Sequence, residues 1–384
     1  MSALRARKPV RRECLGIAGA LLALVVGLGL AVGPLTSAAA GGATPTGTRL
    51  SSGTLNGVSC VSAKSCVAVG YRGDKTLIES WNGTAWSVVP SPDLGISSSL
   101  FGVSCPSANA CMAGGSYIDA SGHHALFESW NGADWSVVPG SSPGPADITL
   151  LGLSCVSAHF CVAVGGYGNS TLIESWNGSA WSVVPSPDRG TERNSLDGVS
   201  CVAARFCVAV GNDSSKTLVE SWNGSAWSIV ASPTPGSYGG FAAVSCSSTR
   251  SCVAVGNFST GTGSGASTPP GTLTESWDGS AWSVVANPNP SHALLYSVAC
   301  VASKSCQAVG EYADRAGVFL SMIDSWNGTA WLVVPNPGLP ASYLYGVSCV
   351  ATTRCEAVGE YDNSAHAGSG RVLEESWNGS AWSD

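Results

Sequence analysis

The chain has 384 residues, of which 44% are hydrophobic, only 11% are charged and 48 are glycine. This composition is typical of a turn-rich folded chain, long enough for one large or two ordinary domains. The formal net charge of −7 argues against nucleic acid as a partner, because a phosphate backbone requires a basic surface.

The first forty residues have the three-part pattern of a secretory signal peptide. A basic start from Arg5 to Arg12 is followed by an apolar run at 15–32 and by small residues that end at Ala40. This order predicts cleavage after Ala40 and a protein that is secreted or at the cell surface. The apolar run is also long enough for an uncleaved membrane anchor, which stays open as the alternative and would be the chain's membrane contact.

The cysteines beyond residue 40 occur in pairs with five residues between the partners. Such even pairing behind an export signal predicts disulfides. Zinc is the alternative, but its sites usually have two to four residues between cysteines and need further ligands. The predicted disulfides are Cys60-Cys66, Cys105-Cys111, Cys155-Cys161, Cys201-Cys207, Cys246-Cys252, Cys300-Cys306 and Cys349-Cys355.

The sequence repeats itself seven times. The first cysteines of the pairs recur at intervals of 45, 50, 46, 45, 54 and 49 residues, and all 14 tryptophans fall at two positions of the unit. The unit reads L-x-G-V-S-C-x5-C-V-A-V-G, then a variable stretch, then T-L-I-E-S-W-N-G-S-A-W-S-V-V-P-S-P. Units begin near residues 55, 100, 150, 196, 241, 295 and 344.

Each unit contains four short candidate strands, which we call a to d. In the first unit they cover residues 55–60, 66–70, 76–81 and 86–90, and Gly, Asn, Ser or Pro separate them. Four strands per 45 to 54 residues are typical of a propeller blade, and seven blades close a ring without a long exposed sheet edge. The predicted fold is therefore all-β, a seven-bladed β-propeller of four-stranded antiparallel blades over residues 55–384.

The last unit stops two residues after its second tryptophan, Trp382, so its strand d is short. The Gly/Thr/Ser-rich linker at 41–54 is predicted to complete or cover this last blade.

The third unit, CVAVGGYGNSTLIESWNGSAWSVVPSP, resembles the kelch repeat of galactose-oxidase-like propellers. Its Gly-Gly-Tyr at 165–167 matches the kelch diglycine and aromatic, and Glu174 before Trp176 matches the kelch acid and tryptophan. The resemblance extends over 55–384, although most units keep one glycine and kelch repeats lack the cysteine pair. A weaker similarity links residues 276–282 to the Asp-box hairpin of sialidase-like propellers, which is one residue longer.

The repeated residues are predicted to be scaffold. Asn-Gly is a strong signal for a tight hairpin, and its flanking tryptophans lie on one sheet face, where they are predicted to pack between blades. A sugar platform is the alternative for these tryptophans.

The acid two residues before the first tryptophan recurs in every unit, whereas a catalytic carboxylate is needed once or as a pair. This acid is Glu79, Glu128, Glu174, Glu220, Glu275, Asp324 or Glu375.

The b–c loops vary most between units. From the glycine that ends strand b to the acid in strand c, the intervals are 9, 13, 9, 9, 19, 14 and 16 residues. Long loops on a rigid scaffold are where binding usually occurs, so these loops predict an aromatic and acidic rim for glycan or protein. The alternative is that the aromatics pack against their own blade, as the kelch aromatic does. The candidate binding residues are Tyr117, Tyr167, Phe258, Tyr312, Tyr361, Glu311, Asp314, Arg315, Glu360 and Asp362.

These patterns favour a secreted, monomeric, non-catalytic binding or scaffold module without catalytic residues, cofactor or metal. Two alternatives stay open: a propeller-based extracellular enzyme, either a sialidase-like glycoside hydrolase or a copper oxidase, and a purely structural surface protein. The copper oxidase is disfavoured because the five histidines show no ligand spacing and the mature cysteines are all matched in pairs.

Overall fold

A computed structural model describes residues 52–384 except residue 142 and residues 145–146, 262–269, 288–291 and 363–369. These residues form 28 β-strands and no helix. The part of the chain so described therefore holds no helix that could span a membrane. The predicted signal peptide and most of the linker at 41–54 lie outside it.

Each repeat forms one sheet whose four strands a to d follow chain order, with every neighbouring pair antiparallel. The a strands of neighbouring blades lie against one another at the centre of the ring. In blades 1 and 2 the strands are β1 (Thr54–Ser62), β2 (Ser65–Arg72), β3 (Lys75–Trp81), β4 (Trp86–Val89), β5 (Ser97–Ser107), β6 (Ala110–Asp119), β7 (Gly122–Trp130) and β8 (Trp135–Val138).

Blades 3 and 4 consist of β9 (Ile148–Ser157), β10 (Phe160–Tyr167), β11 (Ser170–Trp176), β12 (Trp181–Val183), β13 (Asn194–Ala203), β14 (Phe206–Asp213), β15 (Lys216–Trp222) and β16 (Trp227–Ile229). Blades 5 to 7 consist of β17 (Tyr238–Ser248), β18 (Ser251–Ser259), β19 (Gly271–Trp277), β20 (Trp282–Val284), β21 (Ala293–Ala302), β22 (Ser305–Ala313), β23 (Phe319–Trp326), β24 (Trp331–Val334), β25 (Ser342–Ala351), β26 (Arg354–Tyr361), β27 (Arg371–Trp377) and β28 (Trp382–Ser383). The predicted seven-bladed propeller is confirmed.

The last blade takes all four strands from its own repeat, and its strand d, β28, has two residues. Of the linker at 41–54, the described residues are Ser52, Gly53 and Thr54. The Gly53 amide donates to the Gly370 carbonyl, and the Thr54 hydroxyl donates to Glu360, so this end of the linker bridges blades 1 and 7. The role of the rest of the linker stays a prediction that lies outside the described residues.

The apolar core lies between blades, where each blade packs one face against its neighbour. The second tryptophan of the repeat is central to this packing. In blade 3, Trp181 stacks on Phe127 of blade 2, with 4.0 Å between ring centroids. The ring is closed in the same way, because Val358 of blade 7 packs in one cluster with Leu55 and Leu77 of blade 1. The second tryptophan therefore packs between blades, as the sequence predicts.

The first tryptophan of the repeat fastens the c–d turn to the cysteine loop of the same blade. In blade 1, Trp81 pairs directly opposite Trp86 across a four-residue turn. Its indole N–H donates to the Ala63 carbonyl at 3.1 Å, and the other six blades repeat this bond. The Asn82 side-chain oxygen also accepts the backbone amides of the last two residues of its own turn. These bonds hold the turn in shape and tie it to the cysteine loop of its own blade.

Serine hydroxyls connect the a strands around the centre. The serine before the first cysteine of one blade accepts the amide of the equivalent cysteine in the next blade, at 2.9 to 3.0 Å. The bond from the Cys60 amide to Ser348 closes the series between blades 1 and 7. Blade 6 has Ala299 at this position, and Ser297 accepts the Val347 amide instead.

All seven cysteine pairs form disulfides within their a–b hairpins. In blade 1, Cys60 lies directly opposite Cys66. Each bridge closes a loop of only seven residues. The conformational entropy that it removes from the unfolded chain therefore stabilises the fold by only about 2.4 kcal/mol at 25 °C. Seven such bridges together make a substantial contribution.

We expect the double variant Cys155→Ser, Cys161→Ser to lower the free energy of unfolding by about 2 kcal/mol, because it removes one such loop constraint. Urea unfolding of the variant and the wild type measures this difference. Mass analysis of the unreduced wild type with a thiol reagent is the control and should find no reactive thiol in the mature chain. Free thiols in a fully stable protein would contradict the disulfide framework.

In blades 2 to 7 the repeated acid of strand c is buried and binds the connection that leaves strand d of the preceding blade. Ser91 donates to Glu128 at 2.8 Å and Ser186 to Glu220 at 2.9 Å. Asn336 donates to Glu375 at 3.1 Å. Burial raises the pKa of Glu128 and Glu375 to about 7 and that of Glu220 to about 8, although these hydrogen bonds act in the opposite direction. The acid is thus a structural link between blades, as its recurrence predicts.

These carboxyls make stability depend on pH. A carboxyl whose pKa is higher in the folded than in the unfolded state stabilises the fold while it is protonated. This contribution is complete below pH 4.5 and is lost as pH rises through 7 to 8. We therefore expect the melting temperature to fall between pH 5 and pH 8.5. In Glu220→Gln the accompanying loss of unfolding free energy should shrink by more than about 1 kcal/mol, because a tenfold change in a protonation equilibrium is worth about 1.4 kcal/mol.

Thermal unfolding across this pH range measures the effect. Glu192→Gln, which changes an exposed carboxylate of the same blade, should keep the wild-type pH profile. A Glu220→Gln variant that is less stable than wild type at pH 8.5 and equally pH-dependent would contradict the account.

Candidate functional site

The central strand of every blade carries a β-bulge at the x position of L-x-G, where two residues lie opposite one residue of strand b. A bulge re-aims the extra side chain and is often found beside a binding site. The seven bulged side chains are all half-buried. They are Asn56, Phe101, Leu151, Asp197, Ala242, Tyr296 and Tyr345.

The backbone at this position has the same bulge in all seven blades, whereas the side chain differs between blades. Tyrosine occupies the position in the neighbouring blades 6 and 7. The rings of Tyr296 and Tyr345 are 5.4 Å apart between centroids. Tyr343, two residues before Tyr345, lies parallel to it at 6.2 Å with an interplanar angle of 4°. Phe319, at the start of β23, lies 6.0 Å from Tyr343 and is 41% exposed. We call these four residues the aromatic row.

Two carboxylates lie beneath the aromatic row, each on the residue after the strand-b glycine. The Tyr296 hydroxyl donates to Oε1 of Glu311 at 2.8 Å, and the Tyr345 hydroxyl donates to Glu360 at 3.1 Å. Glu311 is 6% exposed. Desolvation raises its pKa, while the bond from Tyr296 acts in the opposite direction. Desolvation and the nearby carboxylates also raise the pKa of both tyrosines, so they stay protonated as donors.

The predicted binding rim includes the aromatics two residues after the strand-b glycine. In the structure these side chains are half-buried and pack against the apolar clusters between blades. Because they occupy equivalent positions of five blades, they are spread around the ring. Their part in binding stays a prediction for Tyr117, Tyr167, Phe258, Tyr312 and Tyr361.

The proposed charged residues have different surroundings. Glu311 and Glu360 lie under the aromatic row. Asp314 is occupied by its own loop, since it accepts the amides of Ala316 and Val318 at 2.8 and 2.9 Å. Arg315 in the same loop is exposed. Asp362 follows β26 and is half-buried, and its amide donates to the Ala341 carbonyl.

Sequence reasoning missed Tyr296, Tyr343 and Tyr345. The signal that could have found them is the departure from the repeat: the x of L-x-G is tyrosine only in units 6 and 7. Sequence alone does not show that x is a bulge, nor that the two tyrosines meet across a blade boundary.

A polar cleft of about 620 Å³ lies on the same face between blades 2, 3 and 4. It is lined by His123, Asp147 and Arg193 among others. A smaller cavity of about 440 Å³ beside it contains Asp197, whose pKa is raised by burial although Ser195 donates to it. Within the described ranges, no group of three or more His, Cys, Asp or Glu residues is placed to hold a metal ion.

No family model and no curated protein matches this sequence. The kelch and Asp-box resemblances therefore stay predictions. Solved structures do match over most of the chain. "YCF48 bound to D1 peptide" has a TM-score of 0.54 at 13% identity and covers 86% of this chain and 95% of that chain.

Two further structures are similar. YCF48 from Cyanidioschyzon merolae has a TM-score of 0.55 at 15% identity, with 86% of this chain and 97% of that chain covered. The structure of U3-55K has a TM-score of 0.52 at 11% identity, with 79% and 88% covered. At these identities the likeness shows the fold alone. The chain is a seven-bladed β-propeller.

Proposed function

We propose that this chain is an exported, non-catalytic propeller that binds a segment of another protein on its b–c loop face, at the aromatic row of blades 6 and 7. The observation that carries the proposal is the row itself, which runs from the exposed Phe319 to the inner strands. Tyrosine is enriched in protein interfaces because its ring gives a large contact area and its hydroxyl a hydrogen bond. A rigid ring that presents such a row needs little ordering when it binds.

Export is supported by the seven disulfides, since such bridges form and persist mainly in oxidising compartments. A peptide ligand is supported by the fold: the similar propeller YCF48 was solved bound to a D1 peptide. The repeated tryptophan hairpins offer no comparable surface, because the first tryptophan of each hairpin bonds its indole N–H within the blade and the second is buried or half-buried between blades. The departures from the repeat are thus the better candidates for binding.

A glycan is the second candidate ligand, and one observation favours it. The rings of Tyr343 and Tyr345 are parallel and lie beside carboxylate acceptors. A flat aromatic face with adjacent hydrogen-bond acceptors also suits a sugar ring.

The test screens the exported protein against a phage-displayed random peptide library and a glycan array. Phe319→Ala should weaken binding of the selected peptides by about tenfold or more, because it removes an exposed interface aromatic. Leu332→Ala is the matched control: Leu332 is 52% exposed and also belongs to blade 6, but it lies on the outer strand β24. It should leave binding unchanged.

Equal affinity of both variants for the selected peptides would overturn the proposed site. Ligands found on the glycan array alone, and lost in Phe319→Ala, would replace protein by glycan as the ligand. No binding in either screen would favour the purely structural protein.

A further inference from the structure

One oxygen beneath the aromatic row has no hydrogen-bond partner. Glu311 is more than nine-tenths buried, and its Oε1 accepts the Tyr296 hydroxyl. Among the described residues nothing donates to its Oε2, although that atom is buried. An unpaired buried carboxylate oxygen is costly, so such an atom in a native site calls for a partner.

The acidic groups near Glu311 form no ion pair with a described residue. Glu311, Glu360 and Asp362 all act on the phenol of Tyr343, whose pKa is raised first by desolvation and then by their charges. Oδ1 of Asp362 is also buried without a hydrogen-bond partner among the described residues. The four ion pairs of the described residues involve other carboxylates. Three acidic groups therefore surround one aromatic ring without a described ion pair.

The rings above these acids add to the same field. The face of a tyrosine ring is negative and attracts an ammonium or guanidinium group within about 6 Å of its centroid. Tyr343 and Tyr345 have parallel rings whose centroids are 6.2 Å apart, and Tyr296 is inclined at 55° to Tyr345. Alkyl stems of basic side chains pack well on such apolar surfaces while their charged ends reach a polar partner.

We propose that the site accepts a lysine or arginine side chain of the bound protein, with its alkyl stem along Tyr343 and Tyr345 and its cationic group at Oε2 of Glu311 and at Glu360. This inference rests on the proposed function, because it names the residue that the binding face recognises. The incoming cation satisfies the unpaired oxygen and neutralises part of the acidic cluster. An acidic or apolar side chain does neither.

The experiment uses end-capped Gly-Ser-X-Ser-Gly peptides, where X is lysine, arginine, norleucine or glutamate, and measures their affinity for the exported protein by intrinsic fluorescence. The lysine or arginine peptide should bind at least about tenfold more tightly than the norleucine peptide, whose side chain keeps the alkyl stem without the charge. Glu311→Gln should remove this advantage and leave norleucine binding unchanged. Glu192→Gln is the matched control for net charge and should bind as wild type does.

Thermal unfolding shows that each variant is folded, and Glu360→Gln provides the same test where Glu311→Gln does not fold. Equal affinity of wild type for the lysine, arginine and norleucine peptides would overturn the inference. An advantage of the basic peptides that survives in Glu311→Gln and Glu360→Gln, or is lost equally in Glu192→Gln, would also overturn it.

Failure of the proposed function has a different signature. If library peptides bind and lose affinity in Phe319→Ala while the basic residue gives no advantage, the binding site stands and only the recognised residue is wrong. If Phe319→Ala has no effect on any bound peptide, the binding site itself is wrong.

Discussion

The structure depends on one constraint: no blade can bury its apolar faces alone. Each four-stranded sheet has two hydrophobic faces, and one neighbouring sheet covers each of them, so the packing must continue until the seventh blade meets the first. The close approach of the a strands adds a steric condition. A side chain on Gly57 would meet the Phe101 carbonyl at 2.8 Å, and one on Gly346 would meet Gly57 at 3.0 Å. Small residues at this position therefore allow the ring to close.

This constraint explains why the repeat is so constant. The buried tryptophan, the acid of strand c and the serine before the first cysteine each contact the neighbouring blade. Because such a residue contacts the next blade, it can change only if the residue that it contacts there changes as well. The x position of L-x-G lies in a bulge, outside the regular ladder pairing, and its side chain varies from blade to blade. Blades 6 and 7 have tyrosine at this position.

Much of the fold could be predicted from the sequence, because period, cysteine pairing and the Asn-Gly turn are local signals. Strand boundaries in the first unit differed from the structure by a few residues, mostly because β1 extends past the cysteine to Ser62. The candidate site was only partly predictable. Adjacent residues of a strand point to opposite faces, so Glu311 faces the aromatic row while Tyr312, one residue later, packs between blades. Two acids of the predicted rim lie under the aromatic row, whereas the part of its aromatics in binding stays a prediction. The meeting of Tyr296 with Tyr345 depends on the packing of blade 6 against blade 7, which no local pattern contains.

Repeated residues build the ring, and we propose that the departures from the repeat in blades 6 and 7 bind the partner. Hydrogen–deuterium exchange of the protein, with and without a selected library peptide, tests this most directly. Added protection is expected only at residues 293–297, 311–320 and 342–345, with the cysteine loops and Asn-Gly turns unchanged. Protection that is spread over equivalent positions of all seven blades, or that is centred on the Asn-Gly turns, would contradict it.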